Sequence, residues 1–204
     1  VVLLGNMALM CVGLPAAIWW FIIRPWIRER RITLDGLLLV SCALFFFQDP
    51  LLNYFNTWCT YNTWLWNRGS WSSHIPGWVS PEYPVRQVAE PLLLNATGYG
   101  MVVVLAIAGC WLMRRIKARW PSISNVRLIL VTYAAAFVAD FVMEAMIFLP
   151  FGLYTYPGAI RSVSVFPDTY HQWPIYEGLM WGGVMTALSC LRFFTDDRGR
   201  TVVE

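Results

Sequence analysis

The chain alternates long apolar runs with shorter polar stretches, and the apolar runs have the length of membrane-spanning helices. A helix that crosses the hydrocarbon core of a bilayer needs about 20 mostly apolar residues. The pattern predicts five such helices, near residues 1–23, 34–53, 91–113, 126–149 and 175–194. We therefore expect an all-α, polytopic membrane protein in which residues 1–204 form one helical bundle domain. Its two longer loops are expected at residues 54–90 and 150–174.

Composition and the distribution of basic residues support this interpretation. Hydrophobic residues make up 58% of the chain and charged residues 13%, whereas soluble domains carry about 25% charged residues. Of the 15 lysines and arginines, most follow the first span, separate the third from the fourth, or follow the fifth. Because basic residues favour the cytoplasmic side, we expect a multi-pass protein of the cell membrane with a cytoplasmic C-terminus. Both longer loops then face away from the cytoplasm.

Asp140 and Glu144 are the most informative charged residues, because both lie inside the predicted fourth span. Residues four apart share one face of an α-helix. One carboxylate at membrane depth costs roughly 2.5–3.5 kcal/mol on insertion scales. A pair on one face is therefore expected to face a polar cavity, to share protons or to bind a cation. The structural alternative is a buried ion pair with a loop arginine.

Further titratable groups gather at the outer side of the predicted bundle. Asp49 lies near the outer end of the second span and Glu90 begins the third, while Glu177 lies just inside the fifth and His171 just before it. Each acid also has a structural interpretation, since Glu90 and Glu177 favour a helix N-terminus and Asp49 can bond the backbone near a proline. The functional interpretation is a set of candidate catalytic residues: Asp49, Glu90, Asp140, Glu144, Glu177 and His171.

Carboxyl groups crowded into a low-dielectric cavity divide into a protonated acid and an ionised base. We expect Asp140 or Glu144 to be the acid, because they lie deepest, and Asp49 or Glu90 to be the base, because the following loop brings arginines within reach. This division suits cyclisation, dehydration or double-bond isomerisation of a lipophilic molecule. We expect no cofactor and no metal, although carboxylates with a histidine are also able to hold a divalent cation.

The loop at residues 54–90 is unusually long and rich in tryptophan. An aromatic belt at the membrane interface explains such residues without a catalytic role, but loops of this length are usually functional or disordered. We expect the loop to fold over the bundle as a lid with aromatic walls for an apolar substrate, with Trp64, Trp71 and Trp78 partly buried. The candidate substrate-binding residues, on this loop and the helices beneath it, are Asn53, Asn67, Arg68, Trp64, Trp71, Trp78, Asn95, Tyr99, Tyr133 and Trp181.

Several longer strings of the chain resemble one protein family, the spirocyclase AveC family of actinobacterial membrane proteins. The strings are FFFQDPLLNYF (residues 45–55), TYNTWLWNRGSW (60–71), IPGWVSP (75–81) and EPLLL (90–94). The resemblance implies closure of a dihydroxyketone into a spiroketal, with dehydration in some members, by acid–base catalysis without a redox cofactor. The motif positions that it marks are Asp49, Asn53, Asn67, Arg68 and Glu90. The family's namesake acts in avermectin assembly and is longer, so we expect the natural protein to extend further N-terminally.

Other function classes remain open on the residues alone. A terpene cyclase or a sterol-type isomerase would also use paired acids beside aromatic walls. A non-catalytic lipid-binding protein, a carrier or a subunit of a larger complex is a further alternative, although a carrier would usually show inverted repeats and broken helices. In every case the expected partners are the lipid bilayer and a lipophilic small molecule of polyketide, terpenoid or sterol type, and not nucleic acid.

Overall fold

The computed structural model describes residues 2–48, 52–53, 58–67, 76 and 94–201, and most of these are helical. The helices are α1 (Val2–Ile18), α2 (Arg24–Glu29), α3 (Leu34–Leu44), α4 (Leu94–Arg119), α5 (Asn125–Met143) and α6 (Ile175–Phe193). The strands are β1 (Thr60–Tyr61), β2 (Tyr154–Thr155), β3 (Ser164–Val165) and β4 (Trp173–Pro174). The prediction of a helical architecture is confirmed in this coarse form.

Three helical stretches are long and apolar enough to cross a membrane, and they coincide with the first, third and fourth predicted spans. They are Val2–Glu29, Gly98–Arg119 and Asn125–Phe148. The second predicted span is a shorter apolar helix, since the 11 residues of α3 are followed by a 3₁₀ turn at Phe45–Gln48. The fifth is α6, of 19 residues. The count of five membrane crossings stays a prediction.

The first helical stretch continues beyond residue 23, where the apolar pattern predicts its end. A wide π turn at Trp19–Ile23 joins α1 to α2, and Pro25 occupies the first turn of α2. Proline is tolerated there because its missing N–H has no intrahelical partner to bond. The Phe21 carbonyl, four residues before this proline, accepts a hydrogen bond from the Thr33 hydroxyl at 3.3 Å instead. The wide turn and this side-chain bond together let the helix pass a residue that would otherwise break it.

Close packing around α6 sets the position of its first turn beside α5. α6 packs against both α4 and α5. Gly178 and Gly182 on α6 face Phe137 of α5, and a Cβ added at Gly182 would meet the Phe137 backbone nitrogen at 3.3 Å. On its other side, α6 places the Ser189 side chain directly against Gly109 of α4. The first turn of α6 therefore lies beside the end of α5.

An ion pair ties the other end of α6 to the start of α3. Arg192 donates from Nε and Nη2 to the two carboxylate oxygens of Asp35, each at 2.8 Å. The two side chains are 20% and 23% exposed. Asp35, which lies among basic residues of the sequence, is thus a partly buried cross-link between two helices distant in sequence.

The described part of loop 54–90 packs against the loop that follows α5. β1 pairs antiparallel with β2, and the Asn62 amide donates to the Gly152 carbonyl at 2.6 Å. Leu65 is 3% exposed and belongs to the same hydrophobic cluster as Leu149. Residues 58–67 therefore lie at the end of the bundle where α5 ends, and the role of the whole loop as a lid stays a prediction. The expected burial of Trp64 is wrong, because its neighbour Leu65 takes the inward position and leaves Trp64 82% exposed.

Candidate active site

Three of the predicted acidic residues meet at the end of the bundle where α5 ends and α6 begins. Asp140 lies on the last turns of α5, Glu144 begins the π turn Glu144–Phe148 that follows it, and Glu177 lies in the first turn of α6. Each contributes a carboxyl oxygen to a group in which these atoms lie within 4.8 Å of one another. The residues are 3%, 9% and 3% exposed, respectively. Single π turns of this kind often occur at functional sites.

Glu144 is surrounded by hydrogen-bond donors from the loop after α5. The Tyr154 hydroxyl donates to Oε1 at 2.5 Å, and the Tyr156 hydroxyl lies 3.3 Å from Oε1 and 3.2 Å from Oε2. The Trp173 indole N–H donates to Oε2 at 3.0 Å. β2 carries Tyr154 and β4 carries Trp173, so the two short strands place these donors over the end of α5.

The two tyrosines act on Glu144 as neutral donors. Burial raises the pKa of Tyr154 and Tyr156 well above the usual value of a phenol, and the neighbouring Glu144 charge raises it further. Both hydroxyls therefore keep their protons throughout the physiological range. Their rings meet edge to face with 5.7 Å between centroids. The ring of Trp58, in the segment 58–67, lies 5.6 Å from that of Tyr156 between centroids.

Asp140 and Glu177 are hydrogen-bonded much less completely than Glu144. Asp140 Oδ2 and Glu177 Oε2 are buried and have no hydrogen-bond partner among the residues that the structure describes. Two carboxylates at 4.8 Å would repel by about 3.5 kcal/mol at an effective dielectric constant of about 20. The group therefore retains protons or binds a cation.

Within the described ranges, the ion pairs join other residues and leave these three carboxyls without a lysine or arginine partner. Of the loop arginines that such a buried pair would need, Arg161 pairs with Asp168 at 2.8 Å instead, and Arg68 and Arg86 lie outside the described residues. Carboxylate oxygens are the ligands that hard divalent cations prefer. Because three donors already bond to Glu144, the oxygens left open to a cation or a proton are those of Asp140 and Glu177.

Several predicted site residues fall outside what the structure describes. They are Asp49, Glu90, Arg68, Trp71 and Trp78, together with the side chain of Asn95. Their roles stay predictions.

The described polar residues of the predicted site do not all reach the carboxyl cluster. The His171 ring contacts the rings of Phe166 and Tyr170 at tilted and edge-to-face angles, with centroid distances of 5.2 and 4.9 Å. His171 is not among the residues that form the cluster. Its buried Nδ1 has no hydrogen-bond partner in the described part of the chain. Asn53 Oδ1 accepts from the Cys59 N–H at 3.0 Å, while the Asn67 amide donates to backbone carbonyls of its own turn. Both asparagines thus support the segment 58–67.

The predicted aromatic residues on the helices make interhelical contacts. The rings of Tyr99 on α4 and Trp181 on α6 contact each other at a tilted angle, with 5.6 Å between their centroids. The Tyr133 hydroxyl donates to the Leu179 carbonyl at 2.9 Å and so joins α5 to α6. These contacts hold the helices beside the carboxyl cluster in place.

Sequence reasoning missed the three donors to Glu144. Tyr154 and Tyr156 are two apart, and in an extended strand such residues point to the same side. The Tyr-x-Tyr spacing in the loop that follows the Glu144 helix could therefore have indicated two hydroxyl donors on one side of a strand. Trp173 had no local signal, because its approach to Glu144 depends on the fold of the whole loop.

The fold and site together define a mostly helical, apolar protein with a buried cluster of carboxyl groups. The family model described as "Spirocyclase AveC-like" matches residues 29–204, so the chain belongs to the AveC-like spirocyclase family. The resemblance found in the sequence strings is thereby confirmed, and a cyclase-type function follows from it. No curated protein and no solved structure matches the chain.

Proposed function

We propose that this chain is a membrane-embedded cyclase that uses Asp140, Glu144 and Glu177 for acid–base closure of a lipophilic polyketide-type substrate into a spiroketal. Membership of the family supports a cyclase-type reaction. The observation that carries the mechanism is the approach of three buried carboxyl groups to within 4.8 Å. Such a group is able to give a proton and take it back, which is the chemistry that ketal formation needs.

Spiroketal formation recycles one catalytic proton. The first hydroxyl of a dihydroxyketone adds to the ketone carbon, and its proton passes to the former carbonyl oxygen to give a hemiketal. A carboxylic acid then protonates the hemiketal hydroxyl, which leaves as water, and an oxocarbenium ion remains. The second hydroxyl attacks this carbon and gives its proton to the carboxylate just formed. The net reaction releases one water and regenerates the acid, so neither an oxidant nor a reductant takes part.

The aromatic residues around the cluster suit both the substrate and the cationic intermediate. Trp173 meets Phe137 and Phe141 edge to face, at 5.6 and 5.1 Å between ring centroids. An apolar wall of this kind favours a lipophilic ligand, and the faces of such rings attract a positive charge.

The membrane location is supported by the apolar surface. Very little of the Val2–Glu29 stretch is buried, and Leu4, Leu9 and Val12 are 66–69% exposed. Apolar side chains in such number face lipid when the helix spans a bilayer. The topology is tested by single cysteines at Ser73 and Arg198 in a cysteine-free background. Ser73→Cys is expected to react with an impermeant thiol reagent from outside the cell; reaction from the cytoplasmic side alone would contradict the proposed orientation.

Turnover of a synthetic dihydroxyketone by the purified protein in lipid nanodiscs tests the catalytic assignment. Asp140→Asn, Glu144→Gln and Glu177→Gln keep side-chain volume but remove the ionisable group, and turnover is expected to fall by about 10²–10⁴-fold. Asp196→Asn is the control, because this carboxylate pairs with Arg200 at an exposed site. Wild-type turnover in all three variants would make the cluster structural. Activity lost on chelation and restored by a divalent cation would make it a metal site.

A further inference from the structure

The three clustered carboxyls differ sharply in their hydrogen bonding. Glu144 accepts from the hydroxyls of Tyr154 and Tyr156 and from the indole of Trp173. Asp140 Oδ2 and Glu177 Oε2 are buried without a partner among the described residues. The described residues therefore stabilise a negative charge on Glu144 through three donors and leave one oxygen each of Asp140 and Glu177 without a hydrogen bond.

We propose that Glu144 is the permanent carboxylate of the cluster, held in that state by the positioning residues Tyr154, Tyr156 and Trp173, and that Asp140 and Glu177 carry the exchangeable protons. This assignment rests on the proposed cyclase function and narrows the expected acid from Asp140 or Glu144 to Asp140 or Glu177.

The chemistry of the donors supports the assignment. An indole N–H is a donor with no acceptor capacity, and a phenol that stays neutral gives its proton to a carboxylate. If Glu144 were protonated, its carboxyl group would lose acceptor capacity at a place where three donors converge. Hydrogen bonds to a charged acceptor are shorter and stronger than neutral ones, and these three accordingly favour the ionised form of Glu144.

The two remaining carboxyls have the opposite environment. A buried, unpaired carboxylate oxygen is costly, whereas a neutral carboxylic acid avoids most of this cost and is also able to donate. The carboxyl oxygens of Asp140, Glu144 and Glu177 lie within 4.8 Å of one another, and the donors around Glu144 favour the negative charge there and the protons on the other two carboxyls. A second ionised carboxylate this close to Glu144 would also meet electrostatic repulsion.

This division gives each group a distinct part in the reaction. Asp140 and Glu177 present their free oxygens and protons to the hemiketal hydroxyl and to the attacking hydroxyl. Glu144 stays ionised and supplies a fixed negative charge next to the oxocarbenium ion. A preorganised charge aimed at the place where opposite charge develops is a strong catalytic device.

Infrared spectroscopy of the resting protein tests the assignment without substrate or turnover. The carbonyl stretch of a protonated carboxyl is separate from the bands of a carboxylate. We expect Asp140→Asn and Glu177→Gln each to remove one protonated-carboxyl band at neutral pH, and Glu144→Gln to remove none. Loss of such a band in Glu144→Gln would overturn the proposal, even if the cyclase activity were confirmed.

Variants of the donors provide the second measurement, which also decides the question if Glu144→Gln does not fold. Acidification should protonate Glu144 and produce a new band. Because a hydrogen bond to a charged group contributes about 1.5–3 kcal/mol, that band should appear about one to two pH units higher in Tyr156→Phe and Tyr154→Phe than in wild type. Tyr170→Phe is the matched control, since its hydroxyl in the same loop donates to the Pro150 carbonyl. An unchanged titration in both donor variants would refute the positioning role.

Discussion

Gly178→Ala is expected to disturb the candidate site from a distance by displacing Trp173. A Cβ at Gly178 would overlap Cζ2 and Cη2 of the Trp173 ring and would lie 3.2 Å from Cε2 of Phe137. Trp173 is 1% exposed and is flanked by Phe137 and Phe141, so the ring has no open space to enter. The indole would have to shift away from Glu144, to which it donates at 3.0 Å.

The magnitude follows from three contributions. Overpacking a well-filled core costs about 1–3 kcal/mol, and losing a hydrogen bond to a charged group costs about 1.5–3 kcal/mol. Replacing glycine by alanine inside a helix raises the unfolding free energy by about 1 kcal/mol. The net loss of unfolding free energy is thus about 1.5–5 kcal/mol, or about 3–20 °C in the midpoint of thermal unfolding. The assay is thermal unfolding followed by tryptophan fluorescence of the protein in nanodiscs.

Gly183→Ala is the matched control for this prediction. Gly183 also lies on α6, but a Cβ there would meet Tyr133 Cε2 at 3.8 Å, an ordinary van der Waals contact. We expect this variant to be as stable as wild type or more stable by up to about 1 kcal/mol. Equal unfolding midpoints for Gly178→Ala and Gly183→Ala would refute the packing argument that holds Trp173 against Glu144.

Two further predictions concern tyrosine ionisation and the helix cross-link. Because burial raises the folded-state pKa of Tyr154 and Tyr156, their contribution to stability is complete below the unfolded value of about 10 and is lost as the pH rises above it. The unfolding free energy of the double variant Tyr154→Phe/Tyr156→Phe should therefore fall less steeply with rising alkaline pH than that of wild type. The tyrosinate absorbance of the folded double variant should equal that of folded wild type. A smaller absorbance would mean that these two phenols ionise in the folded protein. Arg192→Gln leaves the partly buried Asp35 unpaired and should lower the unfolding free energy by about 2 kcal/mol. Arg200→Gln removes an exposed pair and should change the unfolding free energy by less than about 0.5 kcal/mol. Equal effects of the two variants would contradict the argument from burial.

The part of the carboxyl cluster that depends on helical periodicity was predictable from the sequence. Asp140 and Glu144 are four apart on one helix, so their shared face follows from geometry alone. Glu177 was predicted at the same membrane depth because it begins the next span. The packing of glycines on α6 against Phe137 brings Glu177 close to the other two carboxyls.

The contacts that depend on the loops were not predictable in the same way. Trp173 reaches Glu144 across 29 residues, and no local pattern specifies such an approach. Trp64 was expected to be partly buried from its aromatic character, yet a turn gives the inward position to Leu65. The helix continues past Pro25 because a π turn and the Thr33 hydroxyl satisfy the backbone around it, and neither feature has a signature in the apolar pattern.

A double-mutant cycle on turnover tests most directly whether the clustered carboxyls form one proton-handling site. The rates of dihydroxyketone cyclisation are measured for Asp140→Asn, Glu177→Gln and the double variant, after near-ultraviolet circular dichroism has shown that each retains the folded core. Residues that act as a unit show strongly non-additive effects on rate. We expect the double variant to be no slower than the slower single variant, with both singles far below wild type. Losses that multiply, or single variants that turn over at the wild-type rate, would contradict a shared catalytic site.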